Sequence, residues 1–315
     1  MVCRLLTGEG LRTRLTVLIF HRVHAATDPL FPNETTADTF EAQLRWVSEW
    51  FNVMPLGAAV DALAEGALPE RPLSVTFDDG YADNCTVALP ILKRLGLTAT
   101  FFLTSGYLNG GRMWNDTVIE AVRVSPAVLD LEAVGLGIHA LDSLEARRRA
   151  IDWLLEKLKY LPAKLRTERA KLIADRSGAA LPEGMMLTHD QVRDLVEAGM
   201  EIGAHTVTHP ILANLSDDEA RHEIVEGRRL LESIARAPVT LFAYPNGKPG
   251  RDYTAAHVAI VREAGFKAAC STAWGAASPG CDLYQIPRFT PWDRSAWRYA
   301  LRLGQIGRRA EYALA

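Results

Sequence analysis

Short runs of β-branched and aromatic residues alternate with longer stretches of helical periodicity along most of this chain. The runs of strand length lie at 16–20, 73–77, 98–103, 201–204, 240–243 and 267–271. Between them apolar residues recur every three or four positions, as at 37–51, which is the spacing of one helix face. A chain that repeats strand and helix in this order builds a parallel sheet, either open and doubly wound or closed into a barrel. The sequence therefore predicts an α/β fold.

One interval breaks the alternation. A βα unit needs about thirty residues, whereas the interval at 104–200 is about three times that length. Helical patterns fill much of it, at 114–123, 144–158 and 162–176. We expect a helical insertion over 110–186 inside a single domain that spans residues 1–315, and this insertion has the position of a lid. A last helix is expected over 295–315, with an apolar face and arginines opposite; packing against the domain is the expected role, and membrane contact is the alternative.

Composition and charge exclude several classes of protein. The 35 basic and 38 acidic side chains leave a net charge of −3, whereas a nucleic-acid-binding protein needs a clear basic excess. No apolar stretch approaches the roughly 20 residues that span a bilayer. The N-terminal segment lacks the continuous apolar core of an export signal, because Gly8, Glu9 and Gly10 interrupt it. We expect a cytoplasmic protein without an integral membrane segment, and the sequence leaves its oligomeric state open.

The sequence Thr-Phe-Asp-Asp-Gly at 76–80 lies at the carboxyl end of a predicted strand. Two adjacent carboxylates repel each other unless a cation lies between them. An Asp-Gly turn that merely ends a strand would explain the pattern equally well on its own. Active sites of parallel α/β folds lie at the carboxyl ends of strands, and this position favours a functional role for Asp78 and Asp79.

A second motif, His-Thr-Val-Thr-His at 205–209, follows the predicted strand at 201–204. Its spacing alone is weak evidence, because two loop histidines can occur this way by chance. Together with a carboxylate from another strand end, however, they form the two-histidine, one-carboxylate set that zinc and similar divalent metals prefer at catalytic sites. Such a site keeps a position open for water, which is what a hydrolase needs.

A third motif, Phe-Ala-Tyr-Pro-Asn-Gly at 242–247, follows another predicted strand and by itself indicates only a tight turn. In this order, the three motifs resemble the polysaccharide deacetylase family, also called the NodB homology domain or carbohydrate esterase family 4. The resemblance runs from the strand that ends in Phe-His-Arg-Val at 20–23 to about Trp292. It implies a distorted barrel of the (β/α)7 type, a choice that composition and periodicity leave open.

The resemblance implies a role for each motif residue. Asp79, His205 and His209 would bind one divalent metal ion, with zinc expected first and cobalt or nickel as alternatives. Asp78 would be the general base that takes a proton from the attacking water. The backbone N–H of Tyr244 would help to hold the oxyanion of the tetrahedral intermediate.

Two positions depart from the pattern of the family. Many members have an arginine two residues before the tyrosine, where this chain has Phe242, and many end with a Leu-x-His motif where it has Ile-Pro-Arg-Phe at 286–289. We expect other residues to fill both roles. Arg288 would pair with Asp78, and His21 resembles the histidine that protonates the leaving amine in the poly-N-acetylglucosamine deacetylase branch. The alternative for His21 is a core histidine at the end of a strand.

The activity implied is hydrolysis of the N-acetyl group of an N-acetylhexosamine in a polysaccharide, an oligosaccharide or a glycolipid precursor, with release of acetate. Trp114 and Trp292 would stack on sugar rings, and Asn115 and Asp116 would contact the same substrate. Two other interpretations stay open. The same site could hydrolyse a non-sugar amide such as a cyclic imide or ureide, or the chain could be a catalytically silent carbohydrate-binding homologue. The retained Asp78 argues against the silent homologue, because a binding protein needs no base.

Overall fold

A computed structural model describes residues 13–178, 180–309 and 312–315. The chain divides into two compact units. The first contains the residues before 27, then Thr35–Leu108 and the chain from Leu187 onward, and the second contains Thr27–Glu34 and Asn109–Met186. Strands and helices occur in both units, which confirms the predicted α/β class.

The first unit is built on a curled sheet of seven parallel strands among its described residues. They are β1 (Thr16–Phe20), β2 (Asn52–Val53), β3 (Pro72–Phe77), β4 (Thr100–Leu103), β7 (Glu201–Ala204), β8 (Leu241–Ala243) and β9 (Ala268–Cys270), while β5 and β6 belong to the second unit. The order across the sheet is β1-β3-β4-β7-β8-β9, with β2 paired to β3. Because the pairs are parallel, the carboxyl ends of the strands meet at one edge, and the three motifs follow β3, β7 and β8 there.

Helices alternate with these strands along the chain. Those of the first unit are α1 (Ala37–Trp50), α2 (Leu56–Ala64), α3 (Leu89–Leu95), α7 (His189–Glu197), α8 (Asp217–Ala235), α9 (Ala255–Glu263) and α10 (Ala296–Arg308). Both α7 and α8 begin at capping boxes, set by Thr188 and Ser216. The strands β1 and β3 are buried along their whole length, as expected for parallel strands covered on both faces. The last helix, α10, begins one residue after the expected start at 295 but ends at Arg308, and the residues at 312–315 are not helical.

Isolated bridges complete the ring between the first and last strands of the sheet. The N–H of Ile286 donates to the carbonyl of Ala269 in β9 at 2.8 Å. Three residues later, the N–H of Phe289 donates to the carbonyl of Val17 in β1 at 2.8 Å, and Phe289 accepts from the N–H of Ile19 at 2.9 Å. The segment 286–289 thus takes the place of a regular strand between β9 and β1. This arrangement confirms the predicted distorted barrel.

The second unit contains three helices and one hairpin within its described residues. They are α4 (Trp114–Val124), β5 (Val128–Leu131), β6 (Gly137–Ala140), α5 (Leu144–Lys159) and α6 (Ala163–Ser177). Apolar side chains of the helices form its core, among them Val118, Leu154 and Ile173. An ion pair of 2.6 Å joins Arg123 to Asp28 in the segment Thr27–Glu34. The hairpin is absent from the sequence-based expectation of a helical insertion, and the lid role of 110–186 stays a prediction.

Across the described ranges, no helix combines the length and the apolar character that crossing a bilayer requires.

Candidate active site

The Asp-Asp-Gly turn holds two buried carboxylates at the end of β3. The N–H of Asp78 donates to the carbonyl of Phe20 at 2.9 Å, so the pairing with β1 continues one residue past the strand. The chain then reverses through left-handed backbone, with φ of +76° at Asp79 and +92° at Gly80. A side chain at Gly80 would also lie 3.1 Å from Leu103. The turn leaves Asp78 2% exposed and Asp79 7% exposed, so both carboxylates need polar or cationic partners.

His205 follows β7 and is oriented by the neighbouring strand. Its Nδ1 lies 2.7 Å from the carbonyl oxygen of Ala243, the last residue of β8. Because a carbonyl can only accept, Nδ1 carries the proton, and Nε2 of the neutral ring presents a lone pair. A second hydrogen bond of this kind is typical of histidines that bind metals, since it fixes both the tautomer and the ring.

The turn that carries His209 is held by a carboxylate from α8. Glu223 accepts hydrogen bonds from the backbone N–H groups of Val207 and Thr208, both at 2.8 Å, and from the Thr208 hydroxyl at 2.6 Å. The backbone is left-handed at Thr206 and again at His209. Sequence reasoning missed Glu223, because a glutamate on an amphipathic helix gives no sign of which loop it will reach.

The three expected metal ligands lie together. The Nε2 atoms of His205 and His209 lie 3.6 and 3.4 Å from Oδ1 of Asp79, and the ligand atoms are all within 4.8 Å of one another. These contacts are too long or too poorly aligned to be hydrogen bonds. Within the described chain, the buried Oδ1 of Asp79 has no hydrogen-bond partner. A buried carboxylate oxygen without a donor, facing two imidazoles, fits a divalent metal ion.

The charges around this cluster also favour a cation. Burial raises the pKa of Asp79, but the nearby histidines, including His21, hold that pKa well below its usual range. Burial lowers the pKa of His205, yet the negative charges of Asp78 and Asp79 outweigh burial and raise it overall. The buried carboxylates therefore retain positive charge near them, and a metal ion would supply that charge in place of a proton.

Asp78 is held by Arg288 from the segment that closes the barrel. The two terminal nitrogens of Arg288 each donate to one oxygen of Asp78, both at 2.7 Å. The Nε of Arg288 donates to the carbonyl of Ser271 at 3.0 Å, and Nη1 lies 3.2 Å from the hydroxyl of Thr76. The guanidinium is therefore fixed on both sides. The contact expected between Arg288 and Asp78 is present, as a two-pronged pair.

This pair keeps Asp78 ionised. Burial raises the pKa of Asp78, but the Arg288 guanidinium more than compensates, and the pKa lies below its usual range. Arg288 is itself only 1% exposed. Asp78 is thus kept charged, and its Oδ2 lies 3.9 Å from Nε2 of His205.

His21 follows β1, on a loop that is held in place by hydrogen bonds with residues after the Asp-Asp-Gly turn. The side-chain amide of Asn84 donates to the carbonyl of His21 at 2.8 Å. Asp83 accepts from the backbone N–H of Val23 at 3.1 Å and from Nε of Arg22 at 2.8 Å. His21 itself is exposed, which the core interpretation of this residue does not predict. Asp83 and Asn84 were missed from the sequence because their partners, which include backbone atoms, follow a distant strand end.

The comparison with known families decides what kind of protein carries this site. The profile of the polysaccharide deacetylase family matches residues 65–143 and 155–269. The chain belongs to this family. YxkH of Bacillus subtilis (strain 168), whose name places it among polysaccharide deacetylases, is 20% identical over 277 residues, which cover 87% of this chain and 70% of YxkH.

Solved structures of polysaccharide deacetylases and related proteins share the fold. The deacetylase PplD of Streptococcus pyogenes, in complex with acetate, is 21% identical with a TM-score of 0.59, covering 89% of this chain and 92% of PplD. IcaB from Ammonifex degensii is 20% identical with a TM-score of 0.59, covering 92% of this chain and 97% of IcaB. The predicted family is confirmed, and with it a hydrolase that acts on amide bonds as a deacetylase.

The role expected for Tyr244 in this deacetylase is wrong. Its backbone N–H donates to the carbonyl of Cys270 at 3.1 Å, which extends the pairing of β8 with β9 by one residue. An N–H that is already paired in the sheet cannot receive an oxyanion. The side chain is buried, its hydroxyl donating to the carbonyl of Tyr284 and its ring stacked on Tyr253 at 3.8 Å. Tyr244 is therefore a packing residue of the barrel.

Two residues beyond Tyr244, the turn offers a different donor. Asn246 has left-handed backbone, with φ of +59°, and is half-buried. No acceptor among the described residues takes its N–H. The Asn-Gly pair in the motif marks this tip as a turn, but the sequence gives no indication of which N–H stays outside the sheet.

The four expected substrate residues fall into both units. Trp114, Asn115 and Asp116 open α4 in the second unit, where the Trp114 ring lies 5.0 Å from the guanidinium of Arg166 and Asp116 is 4% exposed. Trp292 belongs to the first unit and is 45% exposed. Its ring contacts that of Phe289, the residue after Arg288. Substrate contact by these four side chains stays a prediction.

Proposed function

We propose that this deacetylase is metal-dependent and removes the N-acetyl group from an N-acetylhexosamine within an oligosaccharide, a polysaccharide or a glycolipid precursor. The observation that carries the proposal is the buried cluster of Asp79, His205 and His209 beside an Asp78 that Arg288 keeps charged. A site for a cation and a separate, oriented base are the two elements with which a metal-assisted hydrolase cleaves an unactivated amide.

Asp79, His205 and His209 would hold the metal ion, and zinc suits their nitrogen and oxygen donors, with cobalt or nickel as alternatives. Such an ion lowers the pKa of water and polarises a carbonyl group. The hydrogen bond from His205 to Ala243 keeps the ligating nitrogen directed at the cluster. Glu223 fixes the turn that presents His209.

Asp78 would accept the proton of the attacking water. Arg288 occupies both oxygens of this carboxylate with one hydrogen bond each, which leaves further lone pairs for a proton. The oxygen of water then forms the new bond to the acetamide carbon. The carbon–nitrogen bond breaks as His21 gives a proton to the departing amine, and the products are acetate and the free amino sugar.

The developing oxyanion needs a donor other than Tyr244. The backbone N–H of Asn246 is our candidate, because it follows β8 at the edge where the cluster lies and has no acceptor among the described residues. The backbone is left-handed at both Asn246 and Gly247, and the N–H of Gly247 already donates to the carbonyl of Pro245 at 2.7 Å, so Asn246 offers the N–H at this tip.

Exposed aromatic rings near Arg288 favour a carbohydrate. Trp292 stacks on Trp274 with ring centres 5.1 Å apart, and both rings contact Phe289. A flat aromatic surface suits the apolar face of a hexose ring. We place the enzyme at a step of exopolysaccharide or glycolipid synthesis.

The first test is metal content. The purified protein is expected to hold about one divalent ion per chain, and the double variant Asp79→Ala, His205→Ala is expected to lose it. Inductively coupled plasma mass spectrometry measures both. The matched control is His222→Ala, which removes a histidine outside the cluster and should leave the metal content unchanged. Equal metal in the double variant and the wild type would remove this cluster as the binding site.

Release of acetate from acetylated chito-oligosaccharides tests the substrate. We expect metal-dependent release, abolished by a chelator and restored by zinc. Turnover of a cyclic imide but not of the sugars would assign the enzyme to non-sugar amides. No turnover of either class, with metal bound, would indicate a carbohydrate-binding homologue.

The role of His21 has its own test. The variant His21→Ala is expected to slow cleavage of the sugar acetamide by about a hundredfold, because the amine leaves poorly without a proton. Hydrolysis of an activated aryl acetate should slow far less, since a phenolate leaves unprotonated. Rates on both substrates with the same enzyme preparation measure the difference. Equal losses on the two substrates would count against the acid role.

A further inference from the structure

The outward face of α10 carries large apolar residues whose side chains are partly exposed among the described residues. The inward face is fully packed, with Tyr299, Ala300, Leu303 and Ile306 at most 2% exposed. On the opposite side, Trp297 is 54% exposed and Leu301 is 41% exposed. These two residues are four positions apart, so their side chains are neighbours on one helix face. Folding of the first unit does not explain why large apolar side chains occupy these positions.

Two more tryptophans extend the exposed apolar surface. Trp274 and Trp292 stack on each other and are 37% and 45% exposed. The guanidinium of Arg302, on α10, lies 4.4 Å from the centre of the Trp292 ring, so the stacked pair sits beside the helix. We call Trp274, Trp292, Trp297, Arg298, Leu301 and Arg309 the C-terminal patch.

The C-terminal patch is positively charged in a chain that is acidic overall. Residues 292–309 contain five arginines and one acidic residue, Asp293, whereas the whole chain has a net charge of −3. Asp293 is 6% exposed and is bound by Arg302 at 2.5 Å, so its charge is neutralised. Arg298 is exposed and makes no ion pair with a described residue, and Arg309 lies over the Trp274 ring at 5.9 Å. The patch thus combines uncompensated cations with exposed aromatic rings.

We propose that the C-terminal patch docks onto a bilayer surface that carries anionic phospholipid headgroups. Tryptophan and leucine beside arginine on one helix face is the composition of helices that lie in the membrane interface. Tryptophan prefers the headgroup level, and arginine binds phosphate while its stem rests on apolar surface. Charge complementarity selects this partner, because an uncharged partner would give the arginines nothing to bind.

The C-terminal patch lies next to the reaction centre. Phe289 contacts both Trp274 and Trp292, with ring centres 5.8 and 5.4 Å apart, and the preceding residue is Arg288, which holds Asp78. Docking through Trp297 and Leu301 brings that rim of the barrel to the membrane, where Trp274 and Trp292 would meet the sugar of a glycan attached to a lipid. The docking site itself does not depend on which bond the enzyme cleaves.

Sedimentation with vesicles tests the proposal. The full chain is expected to bind vesicles of phosphatidylcholine that contain about a third phosphatidylglycerol, and not vesicles of phosphatidylcholine alone. Binding should weaken as salt is raised, because the attraction is partly electrostatic. The variant Trp297→Ser, Leu301→Ser is expected to lower the partition coefficient about tenfold. Replacing Arg298 and Arg309 with Gln should lower it by a similar factor.

A matched control uses a tryptophan and a leucine of the second unit that are also exposed. Trp153 and Leu165 are 38% and 36% exposed, and Trp153→Ser, Leu165→Ser should leave vesicle binding unchanged. The melting temperature of each variant shows whether it is folded. If the apolar double variant does not fold, the single variant Arg298→Gln is used in its place. An equal loss in the control, or no binding by the wild type, would overturn the proposal. So would binding to dextran sulfate but not to anionic vesicles, because the partner would then be an acidic polymer.

Discussion

Replacing Asp78 with Asn is expected to lower kcat by about a thousandfold while the metal stays bound. The amide has the shape of the carboxylate and can still accept a hydrogen bond from Arg288, but it cannot take a proton from water at neutral pH. Asp79, His205 and His209 are unchanged, so the metal site is retained. Steady-state release of acetate and metal content of the same preparation measure the two effects separately.

The matched control is Asp293→Asn. Asp293 is also a buried carboxylate held by an arginine, but it lies outside the cluster. Its replacement should leave kcat within a few-fold of the wild type, which separates loss of a base from loss of a buried charge. If Asp78→Asn retained most of the wild-type kcat, another group would have to be the base.

Replacing Arg288 with Met is expected to lower the free energy of unfolding by about 3 to 5 kcal/mol. The variant leaves the Asp78 carboxylate buried without its partner, and removing one half of a buried pair costs far more than the pair contributes. Arg288→Lys should recover part of that stability, because it restores the charge without the two-pronged geometry. Chemical denaturation monitored by circular dichroism gives the difference between the variants and the wild type.

An ion pair on the surface provides the comparison. Arg221 and Glu263 are 2.7 Å apart with side chains 47% and 59% exposed. Arg221→Met should therefore cost no more than about 1 kcal/mol. Arg288→Met with the stability of the wild type would mean that Asp78 does not depend on this guanidinium. A loss of kcat in Arg288→Lys, with full metal content, would mark Arg288 as the residue that positions the base.

Most of the barrel was predictable because its signals are local. Apolar runs of strand length gave β1, β3 and β7 nearly at their bounds, and the chemistry of each motif lies directly after a strand. Parallel strands bring their carboxyl ends to one edge, so the proximity of Asp79 to His205 and His209 follows from topology alone. The pairing of Asp78 with Arg288 was also expected, although 210 positions separate the two residues.

The oxyanion-binding role predicted for the N–H of Tyr244 was wrong for a reason that the sequence does not show. Whether an N–H at a strand end is paired depends on how far the neighbouring strand runs, and Cys270 happens to extend the ladder by one residue. Tyr244 and Asn246 are two positions apart in the same motif, yet the N–H of Tyr244 is paired in the sheet and that of Asn246 is not. The motif identifies the turn, and only the register of β8 against β9 shows which of its N–H groups is already paired.

Long-range supports of the site were missed for a similar reason. Glu223, Asp83 and Asn84 each bind at least one backbone group of a loop that follows another strand, and a backbone donor or acceptor has no residue signature. The hairpin of β5 and β6 was missed because strands of four residues are too short to show the alternation of apolar and polar residues that identifies a strand. Geometry of this kind becomes visible only once the chain is folded.

The order in which the chain is synthesised gives the closing segment a further consequence. The cluster of Asp79, His205 and His209 is complete by position 209, whereas Arg288 follows much later, in the segment that joins β9 to β1. A chain that stops before 286 would lack both the bridge between β9 and β1 and the guanidinium that pairs with Asp78. Closure of the barrel and pairing of Asp78 are therefore one event.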